Sequence, residues 1–202
     1  MNYIVKTIKD KSEIKSLPKA YIDQYVWGDE YTPTSYAQLG LLEGEGIYLK
    51  LTSFEKNPVA TGTEYGHKVH LDSCLEFFVS FDNTSNIYMN FEANCLGAFV
   101  MTARKSRTED VHHAHEIEGV VLPTVIAEIG KESWSVETLF TFDTINKMFG
   151  KEIEFSKGYT FKGNFYKCGD ETPIPHYGMW SPVNLPNPDF HQSGFFADLI
   201  IE

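Results

Sequence analysis

The strongest constraint on the fold is a period-two alternation of apolar and polar residues that recurs along the chain. In LEFFVSFD, Leu75, Phe77, Val79 and Phe81 occupy every second position, with Glu76, Phe78, Ser80 and Asp82 between them. Successive side chains of an extended strand leave opposite faces, so each set shares one face. NIYMNFEAN repeats the arrangement, with Ile87, Met89, Phe91 and Ala93 set against Tyr88, Asn90, Glu92 and Asn94. The turn-rich DNTSN joins the two, and 73–94 reads as a β-hairpin. LGAFVMTAR then extends the hairpin into a meander. GIYLKLTSF (46–54), WSVETLFTF (134–142), GYTFKGNFY (158–166) and FFADLIIE (195–202) bring the set to at least seven strands. Helical signals are confined to DTINKMFG, where Asp143 offers an N-cap and Gly150 a stop. Strands that are polar on one face predict an all-β chain, a two-sheet antiparallel β-sandwich of jelly-roll type. A chain of 202 residues without repeats or linker-like tracts is expected to form a single domain over 1–202.

The tail departs from this pattern. PIPHYGMWSPVNLPNPDFHQ (173–192) carries five of the nine prolines, together with Tyr177, Trp180, Phe190 and two histidines. Proline lacks an amide donor and clashes with a preceding helical turn, so neither a helix nor a central strand runs through it. It is either a stiff crossover or a binding surface.

Composition limits the partners. The net charge of −11 and the single short basic cluster, ARKSR (103–107), argue against nucleic acid and against an anionic membrane surface. The N-terminal MNYIVKTIKDKSEIKSL lacks the apolar segment of a signal peptide. The cytoplasm is therefore the default location, and an extracellular one follows if a leader has been removed. Cys74, Cys95 and Cys168 form no CxxC pair and read as reduced thiols, with Cys74 and Cys95 as small core residues.

Signals for catalysis are thin. VHHAHEIE contains an HxH pair, His113 and His115, which on a strand share one face and begin a zinc site. The Asp or HExxH continuation of a metallohydrolase is absent, and a polar loop is the plainer reading. Glu76 and Glu92 fall on the polar faces of adjacent strands and are the candidate pair for a glycan-active hydrolase or lyase. No GxSxG elbow or phosphate-binding glycine loop is present. Aromatic residues make up 14% of the chain, and Trp180, Tyr177, Tyr65 and Tyr166 lie beside glycine, proline or turn residues rather than in apolar alternation. Exposed aromatic rings suit the C–H face of a pyranose, with Asn, Glu and Arg for its hydroxyls.

DSCLEFFVSFDN, YMNFEANCLGAF, WSVETLFTF and, most specifically, GNFYKCGDETPIPHYGMWSPVNLPNPDFHQSGFFADLIIE resemble the family 9 carbohydrate-binding modules, in their family 9-like single-domain branch. YVWGDEYTPTSYAQLG and EKNPVAT extend the resemblance over nearly the whole chain. It implies a β-sandwich that binds mono- or oligosaccharides without catalysis. Carried onto these residues, it makes Trp180 the stacking ring and Glu76, Asn164 and Arg104 the hydrogen-bonding set. Tyr65, His70, Tyr166 and His176 are further binding candidates, His70 standing where a second tryptophan is expected. Removal of the Trp180 ring is then expected to abolish saccharide binding and spare the fold. No cofactor is required. Several modules of the family bind structural calcium, for which Asp82, Asp29 and Asp170 are candidate oxygen ligands here, although no EF-hand loop is present. A sandwich that has lost its sugar and binds a protein partner is the third alternative. The sequence does not fix the oligomeric state.

Overall fold

A computed structural model describes residues 1–202. The strands are β1 (Asn2–Ile8), β2 (Ala20–Ile22), β3 (Ser35–Leu42), β4 (Gly46–Ser53), β5 (Cys74–Ser80), β6 (Tyr88–Asn94), β7 (Phe99–Arg104), β8 (His112–His113), β9 (Val125–Ile129), β10 (Trp134–Thr141), β11 (Thr160–Cys168), β12 (Tyr177–Met179) and β13 (Ala197–Ile201). One helix, α1 (Phe142–Phe149), follows β10. No helix is long and apolar enough to cross a membrane.

The front sheet runs β8-β7-β6-β5-β11-β13-β1, with β12 on the free half of β11. The back sheet runs β1-β3-β4-β10-β9, with β2 beside β3. β1 belongs to both. Its first half pairs with β13 and its second half with β3, parallel in each case, while the other ladders are antiparallel. The inward sets of the alternation meet between the sheets in a core of 36 buried residues. Phe77 stacks on Phe165 within the front sheet at 4.9 Å, and Phe91 reaches Phe140 of the back sheet at 5.2 Å. Burying each such ring is worth roughly 1.5–3 kcal/mol. The architecture is thus the expected β-sandwich.

Helix α1 begins two residues earlier than the sequence suggests. Thr141 is its N-cap, accepting from the Thr144 amide, while Asp143 lies in the first turn and pairs with Lys147 at 2.7 Å. Gly150 closes the helix at φ 63°, the left-handed conformation that glycine adopts without steric cost.

The outer face of the front sheet is not a solvated polar face. Every residue of β6 is buried, because the tail folds back across the sheet. Phe78, Tyr88, Tyr166, Met179, Val183, Phe190 and Phe196 form a second apolar cluster there, and Cys74 and Cys168 belong to it. Cys95 alone of the cysteines lies in the inter-sheet core. The tail is held by named bonds. Asn164 is fully buried and pairs with Ser181 in both directions, its Oδ1 accepting from the Ser181 amide and its Nδ2 donating to the Ser181 carbonyl, each at 2.8 Å. Tyr166 stacks under Phe190 at 4.1 Å and donates to its carbonyl. Trp27 Nε1 donates to the Leu185 carbonyl.

Two further residues of the tail point inward. Trp180 is 6% exposed and packs between the sheets against Phe165 and Tyr3. His176 is buried beside Lys167, whose Nζ lies 2.7 Å from His176 Nε2. Lys167 also donates to the Cys168 carbonyl and pairs with Glu55 at 3.4 Å, with no exposed surface of its own. Glu55 in turn accepts from Trp134 Nε1 and Ser73 Oγ.

Three predictions follow from this packing. Trp180→Ala should lower stability by about 3–5 kcal/mol in denaturant titration, the cost of truncating a buried aromatic. Lys167→Met should cost about 3–5 kcal/mol by leaving Glu55 buried and unpaired, and Lys167→Met with Glu55→Gln should cost less than the two single changes added. His176 is held near 4, below its ordinary value of 6.5, by burial and by the Lys167 ammonium. The neutral ring therefore contributes stability that is complete above about pH 6.5 and lost as pH falls toward 4. His176→Gln should remove this acid limb, narrowing the gap to wild type by up to about 3 kcal/mol between pH 7 and 4.

Candidate functional site

Alternation on β5, β6 and β7 places one set of polar residues on the outer face of the front sheet, and the register lines them up. Tyr166, Glu76, Glu92 and Val100 form one cross-strand row. Asn164, Phe78, Asn90, Thr102 and His113 form the next. The tail covers the β11 end of both rows and leaves a groove of about 660 Å³ over the rest. Glu76, Glu92, Asn90, Thr102 and Arg104 make its floor, and Arg107, Asp189, Phe190 and His191 its rim on the tail side. His70 and Lys68 close one wall, and Asp170 and Tyr177 another.

The walls are fixed by polar contacts. Asp72 accepts from the Thr61 amide and hydroxyl and from Asn94 Nδ2, and Asn94 Nδ2 also donates to the Gly62 carbonyl. The loop carrying His67 and His70 is thereby locked to the start of β5 and the end of β6. On the other side, Arg107 Nη2 donates to Asp189 Oδ1 at 2.7 Å, and Asp189 also accepts from Gln192 Nε2 and the His191 amide. Gly169 lets the chain turn after β11, since a Cβ there would lie 2.6 Å from Thr172 and 2.7 Å from His176.

The floor is electrostatically mixed. Burial, the Cys168 sulfur and the neighbouring Glu92 hold the Glu76 carboxyl well above the usual carboxylate range. Burial raises Glu92 too, opposed by His70, Asn90, Arg104 and Arg107. Asp170 is likewise raised by burial. His191 is pushed down to about 3 by burial and by Arg104 and Arg107. Glu92 accepts from Asn90 Nδ2 at 2.8 Å. Arg104 Nη1 donates to the Arg107 carbonyl. Asn90 Oδ1 and Arg104 Nε are buried with no protein partner, and both residues line the groove. A buried polar atom without a partner costs about 1–3 kcal/mol. Both atoms belong to residues that line the groove, and each would be satisfied by a complementary group that reaches it from there.

Of the residues expected from the sequence, Glu76, Arg104 and His70 come together here. Trp180, Asn164, Tyr166 and His176 do not line the groove. Each is committed to the fold by the contacts above, and the Trp180 ring is not available for stacking. Tyr65 lies outside, edge-on to Phe99 at 5.0 Å, with its hydroxyl donating to the Met101 carbonyl. The accessible aromatic ring on the groove is Tyr177, half-buried against Trp27 and Phe190. Among the metal candidates, His113 and Asp170 reach the groove. The rings of His113 and His115 are 5.8 Å apart, but His115 turns to Tyr65 because the strand ends at His113 and a 3-10 turn follows. Asp82 is engaged by Thr84 and by Lys151 at 3.0 Å, so a lysine ammonium occupies its cation position. Asp29 is exposed on a loop and does not line the groove.

Tyr177 is one of the four rings that the sequence sets outside apolar alternation, whereas Asn90, Arg107, Asp189 and His191 are not among the site residues expected from it. Asn90 shares the parity of Glu92, and Arg107 lies in the one basic cluster, so both left a signal. Asp189 and His191 left none, since tail residues follow no period.

The fold has counterparts among known proteins. The family model described as carbohydrate-binding family 9 matches residues 7–201. A comparison with curated proteins returns no match. Among solved structures, a protein of Bacteroides uniformis ATCC 8492 assigned to carbohydrate binding superposes with a TM-score of 0.82 at 27% identity, covering 100% of this chain and 99% of that one. A family 9 carbohydrate binding module from Caldicellulosiruptor kristjanssonii in complex with glucose gives a TM-score of 0.68 at 9% identity, covering 100% and 96%. The same organism's module in complex with cellotriose gives 0.65 at 7%, covering 100% and 94%. At these last identities the likeness is one of fold. The match over nearly the whole chain shows that this protein belongs to carbohydrate-binding family 9.

Proposed function

We propose that the groove on the front sheet binds a mono- or oligosaccharide and performs no chemistry on it. The observation that carries this reading is the pair of unpartnered buried atoms, Asn90 Oδ1 and Arg104 Nε, on the groove floor. A sugar hydroxyl donates to the first and accepts for the second, so one neutral polyhydroxylated ligand satisfies both. Glu92 and Glu76 accept further hydroxyl protons, and Tyr177 offers its exposed ring to the sugar's C–H face. The volume of about 660 Å³ lies within the usual range for small-ligand sites. The glucose and cellotriose held by the Caldicellulosiruptor modules are the natural first ligands to try.

Glu76 and Glu92 are the only adjacent carboxylates on the floor, yet their placement favours binding over hydrolysis. Glycosidase carboxylates flank the scissile bond. These two stand side by side in one cross-strand row beneath the ligand, one accepting from Cys168 and the other from Asn90.

Calorimetry with a panel of neutral and acidic saccharides tests the reading. Asn90→Ala, Arg104→Ala and Glu92→Gln should each weaken binding about tenfold or more, an effect of about 1–3 kcal/mol, while thermal unfolding shows the fold intact. Absence of binding by the parent protein across the panel, or undiminished binding by all three variants, would sink it. Release of reducing ends from any panel member would turn the assignment toward a hydrolase.

A further inference from the structure

Beneath one end of the groove lies a pair of cysteines that saccharide binding does not explain. Cys74 on β5 and Cys168 on β11 are directly opposed in the antiparallel ladder, on the groove side of the sheet. Glu76 is the next residue on that face of β5. Its Oε1 lies 2.9 Å from Cys168 Sγ and 3.9 Å from Cys74 Sγ. One ligand atom from each of the three lies within 4.8 Å of the others. Their exposures are 0, 2 and 2% for Cys74, Glu76 and Cys168. The arrangement belongs to the fold rather than to a mobile surface, since two strands and one register fix all three donors.

We propose that Cys74, Cys168 and Glu76 bind a zinc-class divalent ion. Zinc takes thiolate sulfur at about 2.3 Å and carboxylate oxygen at about 2.0–2.2 Å in tetrahedral geometry, which separates neighbouring donors by about 3.5–3.8 Å. The distances of 2.9 and 3.9 Å bracket that spacing, so small side-chain rotations suffice. Two thiolates exclude calcium and magnesium, which require oxygen shells, and select a softer ion. On binding, each thiol and the Glu76 carboxyl release their protons to solvent as their bonds to the metal form, and no electron is transferred. Cys168 and Glu76 line the groove whereas Cys74 does not, so the remaining coordination position faces the groove. Cys95, in the inter-sheet core, takes no part.

This proposal stands apart from the saccharide reading, because its test contains no sugar. The full chain, reduced with a phosphine and freed of metal by chelation, is titrated with Co2+ under anaerobic conditions. The expected result is sulfur-to-cobalt charge transfer in the near ultraviolet, with strong tetrahedral bands in the visible. Both should saturate at one equivalent and be bleached by one equivalent of Zn2+. Cys95→Ser should reproduce the wild-type spectrum. Cys74→Ser and Cys168→Ser should each lose about half of the charge-transfer intensity. Glu76→Gln should retain it but bind about tenfold more weakly. Zn2+ should raise the melting temperature of wild type and Cys95→Ser alike, so the idea remains testable if a Cys74 variant fails to fold. It is overturned if folded wild-type protein shows no charge transfer. It is equally overturned if Cys95→Ser abolishes the signal, or if the protein as purified carries a Cys74–Cys168 disulfide with both thiols blocked to alkylation.

Discussion

The structure turns on a buried ion pair. Lys167 and Glu55 lie between the sheets, and each spends its remaining hydrogen-bonding capacity on a different part of the chain. Lys167 holds the end of β11 and, through His176, the start of the proline tail. Glu55 holds Trp134 at the start of β10 and Ser73 just before β5. Desolvating two charges is expensive, and well-packed apolar residues often do as well for stability. What this pair supplies is placement. Four segments remote in sequence are brought to one point, with the lysine satisfied by a carboxylate, a carbonyl and a neutral imidazole. The low titration of His176 is consistent with that arrangement, because a protonated ring there would face an ammonium.

That placement governs the groove. β11 pairs with β5 so that Tyr166 stands opposite Glu76 and Cys168 opposite Cys74. A slip of one residue would exchange the two faces of β11, sending Lys167 outward and the sulfur and phenol inward. The acidic floor, the sulfur cluster beneath it and the seat for the Phe190 ring all depend on one register. The tail then completes the enclosure, since Phe190 stacks on Tyr166 and Asp189 draws Arg107 across the rim. Its prolines stiffen a segment that has few ladder bonds of its own.

Much of this was legible in sequence because β-strands have a simple period. The inward and outward sets of β5 and β6 are those read from alternation alone, and Glu76 reaches the groove for that reason. Arg104 follows at the end of β7. Periodicity gave no purchase on the tail, where the direction of each side chain depends on tertiary contacts. Trp180 sits among turn residues and still points into the core, because its amide bonds to the Phe165 carbonyl and turns the ring between the sheets. Asn164 has the right parity for a binding residue but is consumed in holding Ser181. β1 was missed because it has parallel partners at both edges, a pairing that short local patterns do not announce. Cys74 and Cys168 lie nearly half the chain apart, and only cross-strand register brings them together.

The groove retains features that a purely structural surface would lose. An apolar cover over β5, β6 and β7 would spare the protein two unpartnered polar atoms and three carboxyls raised by burial. Keeping them is a standing cost, offset by the apolar packing around them. Such a site discriminates by what it leaves unsatisfied. A ligand lacking a hydroxyl opposite Asn90 Oδ1 or Arg104 Nε leaves that atom buried and unpaired, a penalty far larger than that for a missing methylene. Glu92, between the His70 wall and the Arg104 and Arg107 cations, balances the charge of the floor, which suits a neutral ligand rich in both donors and acceptors. The same logic makes the half-buried Tyr177, rather than Trp180, the ring available for stacking. Stacking needs an accessible ring, whereas holding two sheets together needs one that is not.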